Sequence, residues 1–184
     1  MKPVTMGTLA LLTIATAAPA ASQAPAATRV AGVRGEILFQ FDDAVSKLLQ
    51  LAEAIPQDKY GWRPSAGVRS ISQVLMHVSG GNYYVLSFAG VKAPTDLPAD
   101  AENTVADKAQ VIALLRRSAD HVRAALHALS DADLDKAATM FGQATTYRNV
   151  YFTTATHAHE HLGQLIAYAR ANAIVPPWSR AGGQ

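Results

Sequence analysis

Residues 146–173 read TYRNVYFTTATHAHEHLGQLIAYARANA, and the fold turns on this stretch. It contains no proline and a single glycine, shows no alternation of period two, and is stopped by Pro176 and Pro177. Those features predict one long helix. On a helix advancing about 100° per residue, His157 and His161 lie about 40° apart and one turn along, so they share a face. Gln164 falls about 20° to the other side of His157, Glu160 about 60° away, and Tyr168 continues the stripe. His159 points almost oppositely.

Three more candidates precede it. Ile37, Phe41, Ala44, Val45, Leu48, Ala52 and Ile55 recur at helical spacing until Pro56 ends the pattern. Ser70 with Gln73 forms a capping-box pattern that opens a second helix through SQVLMHVSGGNYYVLSF, residues 72–88. Thr104 with Asp107 repeats that pattern ahead of a third helix, with Val105, Ala109, Ile112, Leu115, Ala119, Val122, Leu126 and Leu129 on its stripe. Residues 130–145 are mixed and are expected to be irregular or to carry a short turn. The expectation is an all-α, antiparallel-type four-helix bundle with a metal site between the second and fourth helices. The loop 90–103 is long enough for a crossover, which leaves the topology open.

Composition narrows the function. Charged residues make up 16% of the 184, and the formal net charge is +2, so no basic patch announces a nucleic-acid partner. There is no cysteine, which removes disulfides and thiolate chemistry from this chain. Lys2 precedes an apolar run from Met6 to Ala18, and Ala18-Pro19-Ala20 supplies the small residues that a signal peptidase reads. The run is shorter than the ~20 residues of a spanning helix. Residues 1–20 are therefore expected to be a secretory signal peptide, 21–34 a flexible leader and 35–184 the bundle domain. The mature protein would be periplasmic, with no stable membrane anchor after cleavage.

Two imidazoles at i and i+4 can hold one divalent ion, but a third ligand must come from elsewhere. His77 is the strongest candidate, because Val74, His77, Gly81, Tyr84 and Phe88 follow each other at spacings of three and four on a stripe expected to face the interior. A lone histidine there is more often a core residue satisfied by one hydrogen bond, and it is the inward pair on the fourth helix that favours the ligand reading. Gly80 and Gly81 each cost ~1 kcal/mol inside a helix, so close helix approach or room for a ligand is expected beside His77. His121 and His127 read as surface residues. HAHEH at 157–161 also satisfies the inverted zincin pattern HxxEH, with Glu160 as base. No Asp or Glu follows in 162–184 to complete that metal shell, which makes a metalloprotease the poorer reading. Glu160, Asp42 and Asp43 are weak candidates for a catalytic base beside the plainer reading of solvated surface.

The segments WRPSAGVRSISQVLMHV (62–78), NYY (82–84), HAHEHLGQ (157–164) and ARANAIVPP (169–177) together resemble the DinB-like (DinB/YfiT-like) helical-bundle metalloprotein superfamily. The resemblance covers most of residues 35–178. It implies a four-helix bundle, often a homodimer, holding zinc, nickel or another divalent ion through His77, His157 and His161. It also implies a role for Gln164 behind the ligands or in helix packing. Leu162 stands where an arginine is common, and Ala173 where a glycine follows the last helix. Members include transferases and isomerases that use a small thiol. The expected function is an exported metal-dependent enzyme, hydrolase or thiol-dependent transferase, acting on a small molecule. The alternative is a non-catalytic periplasmic metal or small-ligand binding protein.

Overall fold

The computed structural model describes residues 30–180, and the expected signal peptide and most of the leader lie outside them. Four long helices form the bundle: α1 (Gly32–Ala54), α2 (Ile71–Ser87), α4 (Lys108–Ala128) and α5 (Tyr147–Ala171). A single helical turn, α3 (Ala101–Thr104), lies between α2 and α4. A two-stranded antiparallel hairpin, β1 (Ala137–Met140) and β2 (Gln143–Thr146), leads into α5. Around the bundle the order is α1, α5, α2, α4, each helix packing on its neighbours. Both α1–α2 and α4–α5, consecutive in the chain, are therefore diagonal pairs.

The core follows the apolar spacing closely in α1, where Phe41, Ala44, Val45, Leu48, Leu51, Ala52 and Ile55 are fully buried. Burial of each of the larger side chains contributes about 2 kcal/mol. The loop after α1 is fixed by Tyr60, whose buried hydroxyl donates to the Ala52 carbonyl at 2.7 Å. Two backbone bonds, Ile71 N–H to Trp62 O and Ser72 N–H to Tyr60 O, then tie the loop to the start of α2. The capping box forms as expected: the Gln73 N–H donates to Ser70 Oγ and the Ser70 N–H to Gln73 Oε1.

Four expectations need correction. Helix α1 begins at Gly32, so the last residues assigned to the leader are helical. Thr104 does not open the third long helix. Asp107 caps it, accepting from the Gln110 N–H at 2.9 Å, while the Thr104 hydroxyl donates to the Asp100 carbonyl. In the first turn Val111 is buried and Ala109 exposed, because at about 100° per residue Val111 lies about 40° from Leu115 and Ala109 about 120°. From Leu115 to Leu126 the expected stripe holds. The stretch 137–146 is a hairpin, whose two-residue turn places Phe141 at φ 52° and Gly142 at φ 77°, both left-handed as such a turn demands. Its strands are four residues each, too short and too exposed to carry an alternation signal. The fourth correction concerns Tyr84, which is 59% exposed: the row from Val74 through His77 to Tyr84 runs from the core to the rim.

Helix α5 ends in a Schellman arrangement: the Ile174 N–H bonds the Ala169 carbonyl and the Ala173 N–H the Arg170 carbonyl. Ala173 is thereby held at φ 58°, where its Cβ is strained. Substitution Ala173→Gly removes that strain, of order 1–2 kcal/mol, against a smaller entropic loss. The expected result is a gain of about 0.5–1 kcal/mol, read as a higher urea midpoint at unchanged slope.

Candidate metal centre

His77 projects from the middle of α2, and His157 and His161 from one face of α5. The structure brings the three together: one ligand atom from each lies within 4.8 Å of the others. Their rings stand edge to face, with centroids 4.6–5.1 Å apart. His77 Nε2 and His157 Nε2 approach to 3.2 Å. His161 is buried and the other two are partly so.

The outer nitrogens decide how these rings present themselves. His77 Nδ1 lies 3.0 Å from Glu102 Oε2, so its N–H faces a carboxylate and the Nε2 lone pair faces the cluster. His161 Nδ1 lies 2.8 Å from Gln164 Oε1, with the same consequence. The Gln164 amide donates onward to the Tyr168 hydroxyl at 2.9 Å, and the Tyr168 ring packs edge-on against Trp62 at 5.4 Å. His157 Nδ1 is buried with no partner among the described residues. Burial, reinforced by the neighbouring imidazoles, pushes His157 down to about 4. Burial also lowers His77, against the opposing pull of Glu102. Imidazoles that turn a lone pair inward, as the outer partners of His77 and His161 dispose them to do, are the donors that a divalent cation requires.

Glu102 was not legible in the sequence. It sits on α3, within a segment read only as a loop. There it accepts from Arg69 Nε at 2.7 Å as well as from His77. Burial raises its pKa, but the bonds from Arg69 and His77 outweigh that and hold it below the usual carboxylate range. The turn is docked by Gln73 of the capping box, whose Nε2 donates to Asn103 Oδ1 at 3.0 Å. The available signal was one of three acidic residues, with Asp96 and Asp100, in a long loop following a helix with an inward histidine, and nothing in the spacing selects it.

The other candidates lie elsewhere. Glu160 is exposed and makes no hydrogen bond or ion pair among the described residues. Asp42 pairs with Arg123 at 2.7 Å, and Asp43 with Lys47 one turn along α1. His159 turns away, its Nδ1 bonded to the Ala155 carbonyl. His121, expected at the surface, instead packs on the Tyr83 ring with Nε2 buried. His127 is exposed.

The model of the DinB superfamily matches residues 40–165. This chain belongs to the DinB superfamily. Among solved structures it resembles a DinB-like protein from Bacillus cereus at 15% identity and TM-score 0.65, over 77% of this chain and 93% of that one. It also resembles YfiT from Bacillus subtilis, described as a probable metal-dependent hydrolase with an unusual four-helix bundle topology. That match has 17% identity and TM-score 0.62, over 77% of this chain and 89% of YfiT. A second DinB-like protein of Bacillus subtilis aligns at 20% identity and TM-score 0.61, over 76% and 93% of the two chains. None of the curated proteins matches. At these identities the structural likeness establishes the DinB fold.

The paired glycines of this DinB bundle have different reasons. A Cβ on Gly81 would sit 2.5 Å from His157 Cε1, so the missing side chain lets the His157 ring reach His77. A Cβ on Gly80 would meet nothing within 4 Å, because it opens onto a pocket of about 360 Å³ beside His77. Gly80→Ala is therefore expected to raise stability by about 1 kcal/mol. Gly81→Ala should fall at least about 1 kcal/mol below it, with the His157 ring displaced. Denaturation curves of the two variants, with the histidine ring signals in NMR, make the comparison.

Proposed function

We propose that this protein is a divalent-cation-dependent enzyme of hydrolase type acting on a small molecule, with zinc or nickel held by His77, His157 and His161. The observation that carries the reading is the convergence of three imidazoles from two helices beside an open pocket of about 360 Å³. Three protein ligands leave a coordination position free, the mark of a reactive or ligand-binding site rather than a closed structural one. A cation bound there would supply Lewis acidity to a small substrate or to water. Glu102 and Gln164 fix the ring orientations of His77 and His161, and Gly81 admits the His157 ring. YfiT, described as a probable metal-dependent hydrolase, supports the choice of reaction class. Lys2, the apolar run and Ala18-Pro19-Ala20 support export to the periplasm.

A second reading, a non-catalytic binder of metal or small ligands, draws on one specific observation. Of the two carboxylates that line the pocket, Asp100 accepts from the Asn103 amide and Glu102, the one bonded to the cluster, has both its oxygens engaged, by Arg69 and His77. It is thus poorly placed to move a proton.

Elemental analysis of the mature protein should find a divalent metal equimolar with the chain, lost on chelation with a fall in melting temperature. His77→Ala, His157→Ala and His161→Ala should each abolish it. An unchanged melting temperature on chelation, or a metal content unaffected by these substitutions, would refute the metal site. Glu102→Gln keeps the shape but weakens the orienting bond, and should lower metal affinity about 10–100-fold. Turnover of ester, amide and thiol-transfer substrates by the loaded protein separates the enzyme from the binder.

A further inference from the structure

Two cavities meet at Glu102, which lines both. The first, about 360 Å³, is walled by Met76, Tyr84, Leu97 and Leu114 and bordered by His77. The second, about 520 Å³, is polar and lined by Arg63, Arg69, Gln73 and Gln164. His77 borders one, and Gln164, which holds His161, borders the other.

The hydrogen-bonding inventory of the polar lobe is one-sided. Its acceptors are committed: Glu102 to Arg69 and His77, Gln73 Oε1 to the Ser70 N–H, and Gln164 Oε1 to His161. Its amide donors are committed as well, Gln73 Nε2 to Asn103 and Gln164 Nε2 to Tyr168. What remains free is guanidinium. Arg63 makes no hydrogen bond or ion pair among the described residues, and Arg69 uses its Nε on Glu102 while its terminal nitrogens have no partner there. A lobe that offers forked N–H donors and few free acceptors selects an oxyanion and disfavours an amine. Beyond Glu102 the lining is mostly apolar, with the Asp100 carboxylate on it accepting from the Asn103 amide, and Gly80 keeps that wall back.

We propose that the site takes a small molecule with an oxyanion head, carboxylate or phosphate, and an apolar body. Arg63 and Arg69 hold the head, the lobe beside Gly80 and Leu114 holds the body, and the bond between them lies beside His77. The last clause rests on the proposed metal site; the binding preference is a property of the arginines and the apolar lobe alone.

The test titrates the full chain, stripped of metal by chelation, with 3-phenylpropanoate, 2-phenylethyl phosphate and the neutral 3-phenylpropanamide by calorimetry. At least one oxyanion should bind about tenfold tighter than the amide, as loss of a charged hydrogen bond implies. The carboxylate and phosphate arms identify the preferred head. Arg63→Gln, at an exposed position that the fold does not need, should lower the preference, since only Arg69 then holds the head, while leaving amide binding and metal content unchanged. Gly80→Leu, whose Cβ would meet nothing within 4 Å and whose side chain would occupy the apolar lobe, should weaken all three together. The inference is overturned if the amide binds as well as the oxyanions, if none binds, or if Arg63→Gln leaves the preference unchanged. Metal content measured alongside separates the two claims. Metal retained without oxyanion selectivity removes only this inference, and selectivity without metal removes only the metal site.

Discussion

The close approach of α2 and α5 at Gly81 is the constraint on which the site depends. Any side chain at that position would collide with the His157 ring, and the ring lies within hydrogen-bonding distance of His77 only because the position is bare. A helix interior penalises glycine, so local propensity and site geometry oppose each other at this residue. The surrounding packing resolves the conflict. Val74, Leu75 and Val78 of α2 and Ala155, Ala158 and Leu162 of α5 are buried in one core. That core sets the interhelical distance, and the histidines occupy the edge of the seam where it meets solvent.

Around this seam the polar groups form two short relays. One runs from Arg69 through Glu102 to His77, the other from Trp62 and Tyr168 through Gln164 to His161. Both begin near the loop between α1 and α2, which explains why that irregular stretch is anchored by the buried Tyr60 hydroxyl and by backbone bonds to the start of α2. His157 has no such support on Nδ1, and its ring is placed by packing against Gly81. Orientation by hydrogen bonds for two rings and by steric fit for the third gives three convergent nitrogens without a charged group inside the cluster.

Much of this was legible in the sequence where a repeating physical cause produced a repeating pattern. The four long helices follow from apolar spacing, and His157 with His161 from the turn of one helix. The start of α4 was misread because Thr104 and Asp107 both match a capping residue, and only tertiary docking of α3 assigns the cap to Asp107. The hairpin was missed because its strands are short and exposed. Glu102 was missed because its role depends on which helix its turn docks against, a fact carried by Gln73 and Arg69 rather than by spacing. Tyr84 shows the limit of a stripe: spacing fixes a face of a helix but not how far the neighbouring helices extend to cover it.

The diagonal connectivity has a consequence for how the site comes into being. His77 and His157 are 80 positions apart in the chain, on helices that pack on each other although they are not consecutive in sequence. The cluster is therefore a product of long-range closure, the class of contact that forms late and slowly in folding. A cation clasped between those two helices would act as a reversible cross-link over that span, a closure whose entropy in the unfolded chain is of order 4 kcal/mol. Occupancy of the site would then report on the docking of α2 against α5, and chains in which those two helices are apart would lack it.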